Sequence, residues 1–192
     1  MLRTNAPVVA LFLVLTASCT GSDGPVPGEI ALNDAFAADF DLIDMHGEPA
    51  TDERFEGKPM LMYFGFTSCP DVCPAALGVL DATLEALGPD ARGVQPLFIT
   101  VDPERDDPER LRRHLAFEPR ILGLTGSPEA IAEARERMRV YAAKVELESS
   151  AIGYTVDHQS MFFLTDAGGK PVRAFDDGMA PDLLAERIRA WL

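Results

Sequence analysis

At 192 residues, 47% hydrophobic and 25% charged, the chain has the size and composition of one globular domain. Its 31 acidic against 17 basic residues leave a net charge of −14, which repels phosphate backbones and argues against nucleic acid as a partner. The same charge keeps a domain soluble and by itself assigns no partner.

The chain begins with a targeting pattern. Arg3 supplies a basic n-region, Ala6 to Leu15 an apolar h-region, and small residues lead up to Cys19. The apolar run Ala6 to Ala17 falls short of the roughly 20 residues needed to span hydrocarbon. Thr16-Ala17-Ser18-Cys19 looks like a bacterial lipoprotein cleavage box, with Thr in the place where Leu is usual. Residues 1–18 are therefore expected to be a lipoprotein-type signal peptide and Cys19 the lipid anchor. Residues 19–32, rich in Gly, Pro and Ser, read as that anchor plus a flexible tether. Residues 33–192 read as the domain, extracytoplasmic and membrane-anchored, facing the periplasm or cell exterior. The alternative is a plain signal peptide followed by an incidental cysteine.

Phe40 to Ile43, a turn at Asp44-Met45-His46-Gly47 and a return through Thr51 predict an N-terminal β-hairpin as the first element. Pro59 to Phe66 is an apolar run of strand length, suited to a central strand covered on both faces. Pro74 fits the first position of a helix and puts Cys73 near the N-cap. Leu77, Leu80, Leu84 and Leu87 mark the apolar face of that helix, and Gly88-Pro89 stops it. Gln95 to Val101 reads as a second buried strand, and Asp107-Pro108-Glu109 as a capped helix start. A third unit follows, with a strand at Ile121 to Leu124 and a helix opened by Ser127-Pro128-Glu129. Ile131, Ala134, Met138 and Tyr141 mark its inward face. Met161 to Thr165 and Pro171 to Phe175 flank the turn Asp166-Ala167-Gly168-Gly169, and Leu184, Ile188 and Trp191 give a final helix its apolar face. This order predicts an α/β, thioredoxin-like fold with an N-terminal β-hairpin and a late β-hairpin insertion. Its site lies where the first long helix starts at the carboxyl end of a strand.

With Cys19 set aside, two cysteines remain, Cys69 and Cys73, four apart at that strand-to-helix turn. Helix N-terminal amides favour a thiolate, and comparable sites bring a Cys pKa from about 8.5 into roughly the 3.5 to 7.5 range. Such a redox-active pair can close a disulfide or hold a soft cation. A purely stabilising bridge gains little from so short a loop. Zinc usually takes four ligands, and no second thiolate pair is present. Copper fits two thiolates better. Of the three histidines, His46 in a turn and His114 beside Arg112 and Arg113 read as solvated. His158, just before the strand Met161 to Thr165, occupies a loop that a thioredoxin-like fold brings near the cysteine helix. From spacing alone a lone histidine is more often an ordinary surface or core residue than a ligand. Most of the seven methionines read as core, Met60 and Met62 on a strand and Met138 on a helix; only Met161 lies near His158.

Tyr63-Phe-Gly-Phe-Thr-Ser-Cys-Pro-Asp-Val-Cys-Pro74, Val101-Asp-Pro-Glu-Arg-Asp106 and Val156-Asp-His158 together resemble the Sco/SenC family of copper-binding, thioredoxin-like proteins. The resemblance runs from about Phe40 to the C-terminus and takes in Phe117-Glu-Pro-Arg120 and Gly123-Leu-Thr-Gly126. It implies Cys69, Cys73 and His158 as ligands of one copper ion, Cu(I) or Cu(II). It also implies a role in assembling the dinuclear copper centre of cytochrome c oxidase. The implied partners are the apo copper subunit of that oxidase and a second periplasmic copper chaperone or a thiol reductant. Asp71 and Asp157 match family positions where a carboxylate could tune ligand charge or orient the imidazole, or could simply face solvent. Gln159 stands where the family often has serine. The same two sulfurs also suit a thiol:disulfide oxidoreductase that keeps client cysteines reduced for metallation. A peroxidase, suggested only by Thr67-Ser-Cys69, is a third and weaker reading.

Overall fold

The computed structural model describes residues 25–147 and 153–192. The expected signal peptide and lipid-anchor Cys19 lie outside the described residues. In chain order the strands and helices are β1 (Glu29–Ala31), β2 (Asp41–Asp44), β3 (Pro49–Thr51), β4 (Met60–Gly65), α1 (Val72–Leu87), β5 (Gln95–Thr100) and α2 (Pro108–His114). They continue with β6 (Leu122–Thr125), α3 (Pro128–Arg137), β7 (Ala142–Glu146), β8 (Tyr154–His158), β9 (Met161–Thr165), β10 (Pro171–Asp176) and α4 (Pro181–Arg189).

β4 is buried at every position, as a continuous apolar strand at the middle of a sheet should be. It runs parallel to β5, which runs parallel to β6, and antiparallel to β9 on its other side. The full order is β1-β10-β9-β4-β5-β6-β2-β3, a mixed eight-stranded sheet of thioredoxin-like arrangement. Leu77, Leu80, Leu84 and Leu87 turn the inner face of α1 into the core, and α1 packs against α4. Residues 72–93 are long and apolar enough to cross a membrane by length and composition, yet α1 here is a core helix whose inner face is buried in the domain. Tyr63, Phe64, Phe66, Phe98, Phe162, Phe163 and Phe175 form an aromatic centre around the middle strands. Met60, Met62 and Met138 are buried, as expected of core methionines.

Asp107 and Ser127 cap α2 and α3 as the sequence predicts, their side chains accepting from Arg110 N and Ala130 N. The hairpin β2–β3 and the late hairpin β9–β10 also form as predicted.

Four expectations are corrected. The tether was expected to reach residue 32, but Glu29–Ala31 is strand β1, paired antiparallel with β10. Its anchor is the buried Glu29 carboxylate, ion-paired to Arg173 (2.9 Å) and Arg187 (2.8 Å), partners far away in sequence. Helix α1 begins at Val72 rather than Pro74, because Asp71 O already accepts Ala75 N–H (3.3 Å). Pro74 sits in the first turn, where a missing N–H still costs no bond. Tyr141 does not face inward: α3 stops at Arg137, Arg139 takes a left-handed φ of 52°, and Tyr141 is 58% exposed. Finally, β7 and β8 form a separate two-stranded sheet where the sequence pattern predicts no strand. Their partly exposed faces lack the strict alternation that announces a strand.

Candidate metal centre

β4 ends at Gly65 and the chain loops outward through Phe66–Asp71 before α1 begins, so the cysteines stand at the carboxyl end of the central parallel strands. A buried carboxylate anchors that loop. Asp106 accepts from Thr67 N (2.9 Å), Thr67 Oγ1 (2.6 Å) and Thr100 Oγ1 (2.7 Å). Arg110, 3.7 Å from Asp106, donates to Thr67 Oγ1 and Ser68 Oγ, each at 2.7 Å. A fully buried charge thus has its bonds made, which is the condition for its being there.

Both cysteines are reduced. Cys69 is half-buried; Cys73, in the first turn of α1, is wholly buried. The Cys73 N–H donates to Cys69 Sγ (3.4 Å), so the more exposed sulfur sits at the helix N-terminal amides. The expectation that the helix start favours thiolate at Cys73 is corrected: burial pushes its thiol up to about 12, and the N-terminal amides do not offset that desolvation. Gly65 is required here by close approach. A Cβ on it would lie 2.8 Å from Tyr63 Cε1, 2.9 Å from Phe98 Cε2 and 3.0 Å from Cys73 Sγ.

His158 is the last residue of β8, not a loop residue. Tyr154, Val156 and His158 share one face of that strand, and Val156 is buried. His158 Nε2 lies 3.5 Å from Cys73 Sγ. Its Nδ1 is 3.0 Å from Gln159 O; a carbonyl can only accept, so Nδ1 carries the proton and Nε2 presents its lone pair to the cysteines. Burial lowers the imidazole pKa below its usual value, favouring the neutral form. The rings of Tyr63 (6.4 Å) and Phe66 (5.7 Å) meet the imidazole edge-to-face. Cys69 Sγ, Cys73 Sγ and the His158 nitrogen all lie within 4.8 Å of one another.

Of the two alternatives for the carboxylates beside the site, the exposed positions match the one that faces solvent. Asp71 and Asp157 are exposed, and the imidazole is oriented by the main-chain carbonyl of Gln159. Asp157 acts on His158 only through its charge, which opposes the effect of burial. Met161 Sδ accepts from Gln159 Nε2 (3.2 Å). His46 is exposed as expected, but His114 is not solvated: its ring packs on Phe98 at 5.7 Å, and burial lowers its pKa. Tyr63 is the principal residue that sequence reasoning missed. Fully buried, it donates to Ser160 Oγ (2.8 Å), which donates in turn to Asp177. The available signal was a polar-tipped ring inside an otherwise apolar strand.

Two sulfurs and a neutral imidazole suit a soft, low-coordinate cation. The cleft over them, about 330 Å³, is lined by Phe66, Pro70, Val72, Val156 and the ligand candidates Cys69 and His158, so the Cys69 sulfur opens onto a mainly apolar surface while Cys73 is buried.

The family model SCO1/SenC matches residues 29–192. The chain is 36% identical over 186 residues to an SCO2-like protein of Rickettsia conorii, covering 95% of this chain and 90% of that protein. Among solved structures it is similar to copper-bound ScoI of Bradyrhizobium japonicum, at TM-score 0.76 and 39% identity over 82% of this chain and 99% of that one. Apo Sco1 of Thermus thermophilus matches at TM-score 0.77 and 37% identity, over 90% and 100% of the two chains. The matched span opens at Glu29, where β1 joins the sheet, and runs to the last residue, and on that ground the chain belongs to the SCO1/SenC family.

Proposed function

We propose that this chain is a copper metallochaperone that holds one copper ion through Cys69, Cys73 and His158 and helps assemble the dinuclear copper centre of cytochrome c oxidase. The observation that carries the reading is the convergence of those three donors within 4.8 Å, His158 being brought in from 85 residues beyond Cys73. A related protein, the ScoI of Bradyrhizobium japonicum, binds copper, and the thiolate-rich donor set here favours Cu(I) over harder ions. The client follows from the family resemblance: the apo copper subunit of the oxidase, which takes the ion by ligand exchange through a shared thiolate. Cys69, the reachable sulfur, is the one that makes that exchange.

A lipid on Cys19 would keep the domain near its client. Cys19 lies ten residues before Glu29, so a fully extended tether spans at most about 35 Å. The domain then works at the outer face of the membrane that holds the oxidase.

The reduced cysteine pair also supports a second reading, thiol:disulfide exchange with a client. In that reaction the Cys69 thiolate attacks a client disulfide and releases one client thiolate. Cys73 then attacks the Cys69 sulfur, its thiol proton passing to the departing second client thiolate, and leaves a Cys69–Cys73 disulfide. The imidazole separates the two readings. The full chain with His158→Ala should lose copper affinity by about ten-fold or more, as for one lost ligand, while still reducing an oxidised oxidase subunit. Unchanged copper affinity would remove the three-ligand proposal and leave thiol exchange as the function.

A further inference from the structure

Among the described residues, the hairpin that delivers His158 has no main-chain ladder to the rest of the domain. Among these described residues β7 and β8 have each other as their strand neighbours and no third strand, and a lone two-stranded ribbon is at best marginally stable in water. Side chains must hold it in place, and they come from the segment after β5, the Asp102 to Arg105 stretch whose role the metal site does not explain. Asp102, fully buried, has its N–H tied to Thr100 Oγ1 (3.0 Å) at the end of β5. Its carboxylate pairs with Arg105 and accepts Tyr154 O–H (2.8 Å). Arg105 closes the ring by donating to Tyr154 O (3.1 Å) while its guanidinium stacks 3.8 Å from the Tyr154 ring centroid. The same guanidinium lies 5.9 Å from the Phe66 ring, which packs on His158. On the outer strand, Lys144 reaches the Tyr154 ring (4.8 Å) and pairs with Glu104 (2.6 Å). At the far end of the ribbon, Arg135 donates to Ala142 O (2.7 Å), the residue opposite His158.

We infer that Tyr154, gripped by Asp102 and Arg105, is a positioning residue for His158. It docks the first residue of β8 so that the last residue of the same strand face meets the Cys73 sulfur. The inference rests on the three-ligand copper reading, and it concerns the grip rather than the ligands. A half-buried tyrosine hydroxyl on a fully buried carboxylate contributes most where no main-chain ladder shares the load.

The test is Tyr154→Phe in the full chain, alone and combined with His158→Ala. In the metal-free protein, amide hydrogen exchange in β7 and β8 should quicken about ten-fold, with β4 and β5 unchanged. Copper affinity should fall about ten-fold in the wild-type background and no further in the His158→Ala background. The oxidation rate of Cys69 and Cys73 should stay within about two-fold. Arg105→Lys, which keeps the charge but loses the stacked plane and the fork, should act in the same direction. Equal losses of affinity in both backgrounds, or unchanged hairpin exchange, would overturn the inference. Unchanged affinity in His158→Ala alone would instead overturn the copper reading, and hydrogen exchange would then decide the grip by itself.

Discussion

Cys73 Sγ and His158 Nε2 stand 3.5 Å apart across a sequence separation of 85 residues. One is buried at the start of the first long helix, and the other ends a ribbon outside the main sheet. Neither position alone offers a set of metal donors; the pair does, with Cys69 closing the triangle at the surface.

This pairing sets a pH dependence. The Cys73 thiol, pushed up to about 12, is protonated at neutral pH, so a metal that takes its sulfur must displace that proton. The His158 imidazole, lowered below its usual value, is already neutral and gives up none. Apparent copper affinity should therefore rise with pH through the neutral range and fall as the solution is acidified. Calorimetry in buffers of different ionisation enthalpy should show at least one proton released per copper bound, and a binding enthalpy independent of buffer would contradict this.

Gly65→Ala should damage the fold and the site together. The added methyl meets two buried rings and the Cys73 sulfur at 3.0 Å or less. Overpacking of this kind costs about 1 to 3 kcal/mol. Chemical denaturation should show that loss, and copper affinity should fall with it; a variant as stable as the parent would show that the rings can give way.

Glu29→Ala should loosen the first strand. The carboxylate is almost wholly buried between Arg173 and Arg187, so its removal leaves two partly buried cations without their shared partner. Breaking such a pair costs about 2 to 4 kcal/mol, the two guanidinia keeping some contact with water. Denaturant midpoints measure the loss, and exchange of the β1 and β10 amides localises it.

Acid should weaken the link after α2. Arg120 donates to Glu118 through Nε (2.8 Å) and its own main-chain N–H (2.8 Å), and these bonds hold the Glu118 carboxyl at about 2. Because the folded value is depressed, the stabilisation is present above the usual value near 4.5 and is lost as pH falls towards 2. It amounts to about 1 to 2 kcal/mol, reduced by the partial exposure of Arg120. Arg120→Gln should flatten the fall in stability between pH 5 and pH 2.5; an unchanged slope would assign acid sensitivity elsewhere.

The main βα units were legible because their signals are local. Continuous apolar runs gave β4 and β5, and Asp107-Pro108 and Ser127-Pro128 gave the two helix starts. The cysteine loop was legible for the same reason. What sequence missed is held by distant partners. β1 depends on the Glu29 pairs with Arg173 and Arg187, and β8 on the grip of Asp102 and Arg105 on Tyr154. The thiol chemistry was misjudged at one atom, because helix position was visible at Cys73 and its burial beneath Tyr63 and Gly65 was not. His158 was assigned by family resemblance, and the structure supplies the physical reason for its place.

Copper content per chain tests the central claim most directly, measured on the purified full chain with its thiols reduced and again after Cys69 and Cys73 have been oxidised to a disulfide. One copper per reduced chain, lost on oxidation and weakened in His158→Ala, is the predicted result. Copper retained by the oxidised chain, or no copper taken up by the reduced one, would contradict it.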